Sequence, residues 1–305
     1  MSIELKNKKV SIIGAKRSGI ATADAVKSLG GIPFVSDSSQ IKDEKSIAHF
    51  ENNSIQYEFG QHSERIYDCD LMIVSPGVAA NSEVVIKAKS KKITVLPEIE
   101  LAFHICRGKI VGITGSNGKT TTTALIGEIF KNAGLPVFVC GNIGNPFIAI
   151  ARDIPENGFA VVELSSFQLE LTDKFHPHVA VFLNLTPDHL DRHGNLETYI
   201  NAKMKIFANQ GSEDFSILNL DDKTLLEKCS SLKSKTIWFS TAKSLPDGTW
   251  AIPGGGIFVE NQELMKADKL KIKGEHNLSN ACAAISAALC AGISRNIIAE
   301  TLKTF

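Results

Sequence analysis

The chain alternates short apolar runs with amphipathic ones, regularly enough to predict elements. Lys9–Gly14 and Ile32–Asp37 read as strands, with an amphipathic helix over Gly19–Leu29 between them. Leu71–Ser75 and Ile93–Leu96 are further short apolar strands. Strands alternating with helices predict a parallel sheet with crossover helices. Pro97-Glu98 then starts a helix, and the domain boundary is expected there, giving domains 1–97 and 98–305. In the second, an apolar strand from Lys109 meets a glycine-rich turn and a helix over Thr120–Ala133, stopped by Gly134 and Pro136. Val137–Cys140, Phe159–Val162 and Val179–Leu183 are strands that end in polar residues. Residues 236–273 read as shorter antiparallel strands with a Pro-Gly-Gly-Gly turn at 253–256, and an Ala-rich helix runs from about Leu278 to Ala291.

Composition narrows the class. At 305 residues the chain is long for one core, so two domains are expected. Lys plus Arg equals Asp plus Glu, 33 each, which argues against a nucleic-acid or membrane-surface binder. No apolar run is long enough to span a bilayer, and the start lacks the apolar stretch of a signal peptide. The six cysteines (69, 106, 140, 229, 282 and 290) show no Cys-x-x-Cys spacing, and several sit in apolar stretches. Buried free thiols in a reduced, cytoplasmic compartment are the expectation.

The strongest chemical signal is Gly112-Ile-Thr-Gly115-Ser116-Asn117-Gly118-Lys119-Thr120-Thr121. A strand, a glycine turn and a helix start aim backbone N–H groups and a helix dipole at one spot, which suits a polyphosphate. Lys119 would reach the β/γ-phosphates and the Thr120 hydroxyl would ligate Mg²⁺. The strict phosphate-loop pattern wants glycine where Ile113 stands, so this is a variant. Glu163, after four apolar residues, sits at a strand tip where phosphate-loop enzymes hold a Mg²⁺-binding acid, and Ser165 lies two residues on. Asn184-Leu-Thr-Pro-Asp-His-Leu-Asp-Arg-His-Gly194 follows another strand. Its His189 and His193 invite a zinc reading, but closed zinc sites want further ligands, and Mg²⁺ ligation by His189 is preferred. From Leu196 an apolar stripe runs Leu196, Tyr199/Ile200, Lys203, Ile206/Phe207. It places Lys203 on the buried face and Lys205 away from it; Lys203 has either a special role or a snorkelling one. Gly274-Glu-His-Asn-Leu-Ser-Asn280 either caps the last helix or holds a base.

In the first domain, Gly14-Ala-Lys-Arg-Ser-Gly19 is a weak dinucleotide fingerprint, with Lys16 in place of the middle glycine. Asp37 follows the second strand as ribose- or base-binding acids do, and Ser75-Pro-Gly77 makes a second turn on the same sheet edge. A plain strand–helix turn is the alternative.

Together these segments resemble the Mur ligases, the ATP-dependent amino-acid-adding enzymes of peptidoglycan synthesis and so of cell-wall biogenesis, cell shape and division. Gly-Ser-Asn-Gly-Lys-Thr, Asn-Leu-Thr-Pro-Asp-His-Leu-Asp-Arg-His, Ala-Lys at 202–203 and Gly-Glu-His-Asn-Leu-Ser-Asn fit the whole group. Gly141-Asn-Ile-Gly144, Glu163-Leu-Ser-Ser-Phe-Gln-Leu-Glu170, the Ile-Ile-Gly turn and Val-Ser-Pro-Gly-Val resemble its D-glutamate-adding branch. The fold implied is α/β: a Rossmann-like parallel-sheet domain binding the UDP substrate, then a phosphate-loop ATPase-like central domain with a small antiparallel sheet. The reaction implied uses ATP to phosphorylate the terminal carboxylate of UDP-N-acetylmuramoyl-L-alanine, and the D-glutamate amine attacks the acyl phosphate. The resemblance puts Gly115–Thr121 on the phosphates, Thr120 and Glu163 on one Mg²⁺, and His189 with a carbamylated Lys203 on a second. It puts Asn142 and Asn280 at adenine, and assigns Arg17, Ser18, Asp37, Ser38, Ser75, Gly77, Asn142 and Ser165 to the UDP substrate. It implies a monomer whose third, C-terminal ligase domain is absent from this chain, leaving little or no turnover. Competing readings are a diaminopimelate- or lysine-adding relative, a non-catalytic nucleotide-binding module, and an NAD-dependent oxidoreductase resting on the Gly14 turn alone.

Overall fold

A computed structural model describes residues 3–40 and 43–305. Met1 and Ser2, where the reading of the start as lacking a signal peptide begins, lie outside the described residues. The chain divides into two compact units. The first runs to Cys106 and takes in Pro146–Asp153 and Phe167–Phe175; the second holds Arg107–Asn145, Ile154–Ser166 and His176–Phe305.

Unit one starts β1 (Lys9–Ile13), α1 (Arg17–Ser28), β2 (Ile32–Asp37), α2 (Glu44–Asn52) and β3 (Gln56–Phe59). It continues β4 (Leu71–Val74), α3 (Glu83–Ser90), β5 (Thr94–Pro97) and α4 (Glu98–Ile105). The five strands pair in the order β3-β2-β1-β4-β5, all parallel. Order reverses between β2 and β4 on either side of β1, and ligands of open parallel sheets bind at such a switch point, outside the carboxyl ends of the strands. Ile13, Met72, Val74, Val85 and Ala88 pack beneath this edge as one apolar cluster. Within the unit, Glu100 of α4 accepts three successive backbone N–H groups, from Asp173, Lys174 and Phe175, at 2.6–3.1 Å. A carboxylate so used anchors the later segment 167–175 to α4.

Unit two starts β6 (Lys109–Thr114), α5 (Lys119–Asn132) and β7 (Val137–Gly141); the short α6 (Phe147–Ile150) belongs to unit one. Then follow β8 (Phe159–Glu163), α7 (Ser166–Leu169, which passes into unit one after its first residue), β9 (Val179–Phe182), α8 (Leu190–His193), α9 (Leu196–Met204), β10 (Phe215–Asn219) and α10 (Lys223–Lys228). The chain ends β11 (Lys235–Ser240), β12 (Thr249–Ala251), β13 (Gly256–Val259), β14 (Gln262–Lys266), α11 (Glu275–Cys290) and α12 (Arg295–Thr304). All nine strands form one sheet, β14-β13-β12-β11-β10-β9-β6-β8-β7. The stretch 236–273 is antiparallel only from β12 to β14; β11 runs parallel to both β10 and β12. The reason is the α10 crossover, which returns the chain to the same edge of the sheet and so makes β10 and β11 parallel. The antiparallel strands extend the main sheet. α5 and the Ala-rich α11 lie over it, burying Leu125, Ile129 and Phe130 with Ala281, Ala284, Ile285 and Ala288. Among the described residues no helix is long and apolar enough to cross a membrane, and all six cysteines are free thiols.

Candidate functional site

β6 delivers the chain into residues 115–118, and α5 begins at Lys119, one residue earlier than its spacing predicts. Gly118 is the N-cap residue, with φ +83°. A Cβ there would sit 2.2 Å from Asn280 Oδ1, so glycine both tolerates the left-handed backbone and lets Asn280 reach the loop from α11. A pocket of about 380 Å³ opens over the turn, lined by residues 116–121, Asn142 and Glu163. The first N–H groups of α5 have no partners within the helix, and they carry the positive end of its dipole.

Glu163 ends β8 in register with Ile113 of β6 and is only 2% exposed. Its carboxylate is held from both sides: the Thr120 hydroxyl donates to Oε2 at 2.8 Å, and Asn142 Nδ2 donates to Oε1 at 2.9 Å. A hydroxyl beside a carboxylate at a phosphate loop is the hard-oxygen donor set that Mg²⁺ takes, so these residues fit that ion.

Two lysines meet at the base of the loop. Lys119 Nζ donates to the carbonyls of Gly115 and Ser116 at 2.9 and 2.8 Å. Lys203 Nζ, from α9, donates to the same Gly115 carbonyl at 2.9 Å and contacts Thr114 Oγ1 at 3.3 Å. Lys203 is 2% exposed and lies 4.9 Å above the Tyr199 ring. Burial, then the neighbouring Lys119 charge, pull its amine down to about 7, with Asp188 acting in the opposite direction. Burial also lowers Lys119, against Glu163 and Asp188. The stripe is buried at Tyr199, Ile200 and Lys203 on α9 and at Ile206 and Phe207 in the 3₁₀ turn that follows it. Leu196 departs from the pattern: it is 37% exposed, because it stands in the first turn just after the Asn195 cap.

The segment after β9 braces the loop. Asn184 accepts the Asn117 N–H on Oδ1 at 2.9 Å and returns a bond from Nδ2 to the Asn117 carbonyl at 3.0 Å. Ser116 Oγ donates to the Thr186 carbonyl, accepts the Thr186 N–H and lies 2.9 Å from Tyr199 Oη. His189 is exposed, at φ +50°, with Nε2 3.4 Å from Asp188 Oδ2. It does not line the pocket. His193 is buried, with Nε2 3.0 Å from Ser166 Oγ. Ser165 is half-buried, two residues past Glu163. Asn277 and Asn280 both lie inside α11; Asn280 donates to Asn277 Oδ1 at 3.2 Å and Asn277 to the Lys273 carbonyl at 2.9 Å.

In unit one the glycine turn closes differently. Asp37 Oδ2 accepts the Ala15 N–H at 2.8 Å, and Oδ1 accepts that of Ser39 at 2.9 Å. Gly14 has φ +101°, and a Cβ there would meet Ser75 Oγ at 2.7 Å, so the turns after β1 and β4 touch. Arg17 and Ser38 are exposed, Ser18 and Ser75 half-buried, and Gly77 opens onto free space.

Asn184, Asp188 and Tyr199 are parts of the loop's surroundings that carry no individual role in the sequence reading, although the first two lie in the segment 184–194 and Tyr199 on the apolar stripe. Helix phase held the signal for Tyr199, four residues before Lys203 on the same face. Its place just past a strand marks Asn184, but nothing in the spacing marks its partner, because Asn117 is 67 residues away.

The profile of the Mur ligase middle domain matches residues 113–288, and that of the MurD N-terminal domain matches residues 24–84. A UDP-N-acetylmuramoylalanine–D-glutamate ligase of Alkaliphilus metalliredigens is 42% identical over 318 residues, covering 99% of this chain and 68% of that one. The structure of UDP-N-acetylmuramate:L-alanyl-gamma-D-glutamyl-meso-diaminopimelate ligase from Neisseria meningitidis superposes with a TM-score of 0.67 at 19% identity, covering 98% of each chain. MurF ligase from Thermotoga maritima, solved in complex with ADP, superposes with a TM-score of 0.53 at 18% identity, covering 99% of this chain and 64% of that one. At such identities these two structures share the fold; the family follows from the profile match over more than half the chain and from the 42% identity, and the chain belongs to the Mur ligases.

Proposed function

We propose that this chain is an ATP-dependent ligase of peptidoglycan synthesis, of the kind that joins D-glutamate to UDP-N-acetylmuramoyl-L-alanine. The match to the MurD N-terminal domain favours D-glutamate over a diaminopimelate- or lysine-adding role. The observation that carries the ligase chemistry is the convergence of Lys119 and Lys203 on one carbonyl at the phosphate loop.

In this reading Lys119 leaves the Gly115 and Ser116 carbonyls for the ATP phosphates, and the first N–H groups of α5 take further phosphate oxygens. Thr120 and Glu163 hold Mg²⁺, which when bound neutralises phosphate charge. Asn142 keeps the Glu163 carboxylate aimed, and Asn280 and Asn142 stand by the adenine. With Lys203 drawn down to about 7, the neutral amine shares the population with the ammonium at neutral pH and prevails at mildly alkaline pH. The amine reacts with CO₂, its nitrogen bonding the carbon and releasing a proton to give a carbamate anion. That anion and His189 are the assigned ligands of a second Mg²⁺. Within unit one, the turns at Arg17, Ser18, Asp37, Ser38, Ser75 and Gly77 take the UDP part of the substrate.

Titration calorimetry tests the reading. Saturable binding of UDP-N-acetylmuramoyl-L-alanine, tighter than that of its D-glutamate-extended product, is expected. Preference for the extended compound, or no binding of either, overturns it. Bicarbonate labelled with carbon-13 should give a carbamate signal at mildly alkaline pH that Lys203→Ala abolishes.

A further inference from the structure

Beyond Asp37, the carboxyl ends of β2 and β3 carry a chain of side-chain hydrogen bonds. Ser36, fully buried, donates its hydroxyl to Glu58 Oε1 at 2.8 Å and lies 2.7 Å from His62 Nδ1. Glu58 also accepts the Ser63 N–H at 2.9 Å on Oε1 and the Ser63 hydroxyl at 2.5 Å on Oε2. Burial works to raise the Glu58 carboxyl, but the bonds from Ser63 and Ser36 and the charge of Arg65 outweigh it and hold it below its ordinary value. Glu58 is thus an anion that only accepts.

The proton positions follow. Ser36 has one hydroxyl proton, and it belongs to Glu58. The oxygen that faces His62 then offers lone pairs, so the 2.7 Å contact requires the proton on Nδ1. In the neutral ring Nε2 is left as an acceptor. His62 is half-buried, and among the described residues no hydrogen bond or ion pair reaches Nε2. The ring also stands at the ligand-binding edge: the Gly60 N–H donates to the Asp37 carbonyl at 2.9 Å, tying the exit of β3 to the end of β2.

We propose that His62 is a specificity-determining residue of the nucleoside subsite in unit one, its Nε2 accepting a hydrogen bond from a donor hydrogen of a uridine nucleotide. Ser36 and Glu58 are positioning residues that fix the imidazole tautomer. The inference rests on the reading of unit one as the UDP-substrate domain. Two hydrogens supply the same chemistry, uracil N3–H and a ribose hydroxyl.

The experiment is titration of the full chain with UDP, CDP, which lacks the N3 hydrogen, and 2′-deoxy-UDP, on wild type and variants. His62→Ala should weaken UDP about 3- to 10-fold, as loss of one hydrogen bond does. It should also erase the preference for UDP over either CDP or 2′-deoxy-UDP, and the one erased identifies the donor. His62→Gln, whose carbonyl reaches the Nε2 place, should recover most of the affinity. Nitrogen-15 shifts of the wild-type ring should report the Nδ1–H tautomer, and Ser36→Ala should shift it toward Nε2–H. UDP affinity unchanged in His62→Ala, weakened affinity with both preferences intact, or an Nε2–H tautomer in wild type overturns the proposal. Wild type failing to bind UDP overturns the substrate-domain reading itself, an outcome distinct from wild type binding and His62→Ala matching it.

Discussion

Two turns in this molecule begin alike and end as different devices. Each follows the first strand of its sheet, each is entered through a glycine with positive φ, and each feeds a helix: Gly14 to α1 and Gly115 to α5. In unit one the turn's amide is already taken, because the Asp37 carboxylate accepts the Ala15 N–H. In unit two, among the described residues, no carboxylate accepts an N–H of the loop; the loop carbonyls collect two ammonium groups, and the carboxylate of Glu163 is occupied by Thr120 and Asn142. The same strand–glycine–helix geometry thus gives a turn whose charge is settled internally and one poised for a polyphosphate. The side chains brought to the glycines make the difference, not the glycines.

The buried ionisable groups sharpen the contrast and carry the largest expected effect. Glu98 in unit one is 1% exposed, accepts one bond from Gln168 at 3.1 Å, and has no partner on Oε2. Burial pushes its carboxyl from 4.5 up to about 7. The folded state therefore holds that proton more tightly than the unfolded one. Its stabilising contribution is complete below about pH 4.5 and is lost as pH rises through about 7, on the order of 3 kcal/mol. Lys203 behaves oppositely: its folded value is depressed, so its contribution is present above 10.5 and lost as pH falls to about 7. Denaturation across pH 4–10 should show stability falling to a trough near neutrality and recovering beyond it. Glu98→Gln should flatten the acid side only. A flat profile in wild type would break the comparison.

Lys119→Ala should come next in size. Losing a charged donor to phosphate should lower Mg-ATP affinity about 10- to 100-fold, while UDP affinity stays within about twofold because Lys119 and the Gly14 turn belong to different units. Calorimetry with each nucleotide reads both, and a parallel fall would mean the turns are not independent devices.

Asp37→Ala removes the acceptor of two backbone N–H groups and should destabilise the chain by about 1–3 kcal/mol, measured as a fall in denaturation midpoint. UDP affinity should drop and Mg-ATP affinity hold. Unaltered stability would show that the Gly14 turn does not depend on its acid.

The smallest effect is expected from Tyr199→Phe. It deletes the hydroxyl 2.9 Å from Ser116 Oγ but leaves the ring beneath Lys203. Stability should fall by about 0.5–1.5 kcal/mol, and carbon-13 labelling of Lys203 should persist. Loss of the labelling would move Tyr199 from bracing the loop to setting the state of the lysine.

What local pattern could encode was legible. The apolar run before Glu163 predicted a strand tip, and Glu163 ends β8. Helix phase alone put Lys203 inside, and it is 2% exposed. β10 went unread although Gly211-Ser-Glu-Asp214 and Asp221-Asp222 bracket it, since Phe215–Asn219 is only five residues and carries too few apolar positions to show a period. The direction of β11 was misread because residue types report strand propensity, while pairing sense depends on the crossover helix and the edge to which it returns.

The sequence by itself determined the periodicities, the glycine turns at 14–19 and 115–118, the residue types of the site and the resemblance to a family, because each is written in neighbouring positions. Tertiary structure alone decided which distant groups share an atom or a proton. It brought Lys203 to the carbonyl that Lys119 uses, and Asn184 to Asn117 across 67 positions. It also left Ser36 between Glu58 and His62, so that one hydroxyl proton fixes the tautomer of a ring 26 residues away. The physical reason is that hydrogen bonds and burial act over a few ångströms of space, and folding sets that space without regard to separation along the chain.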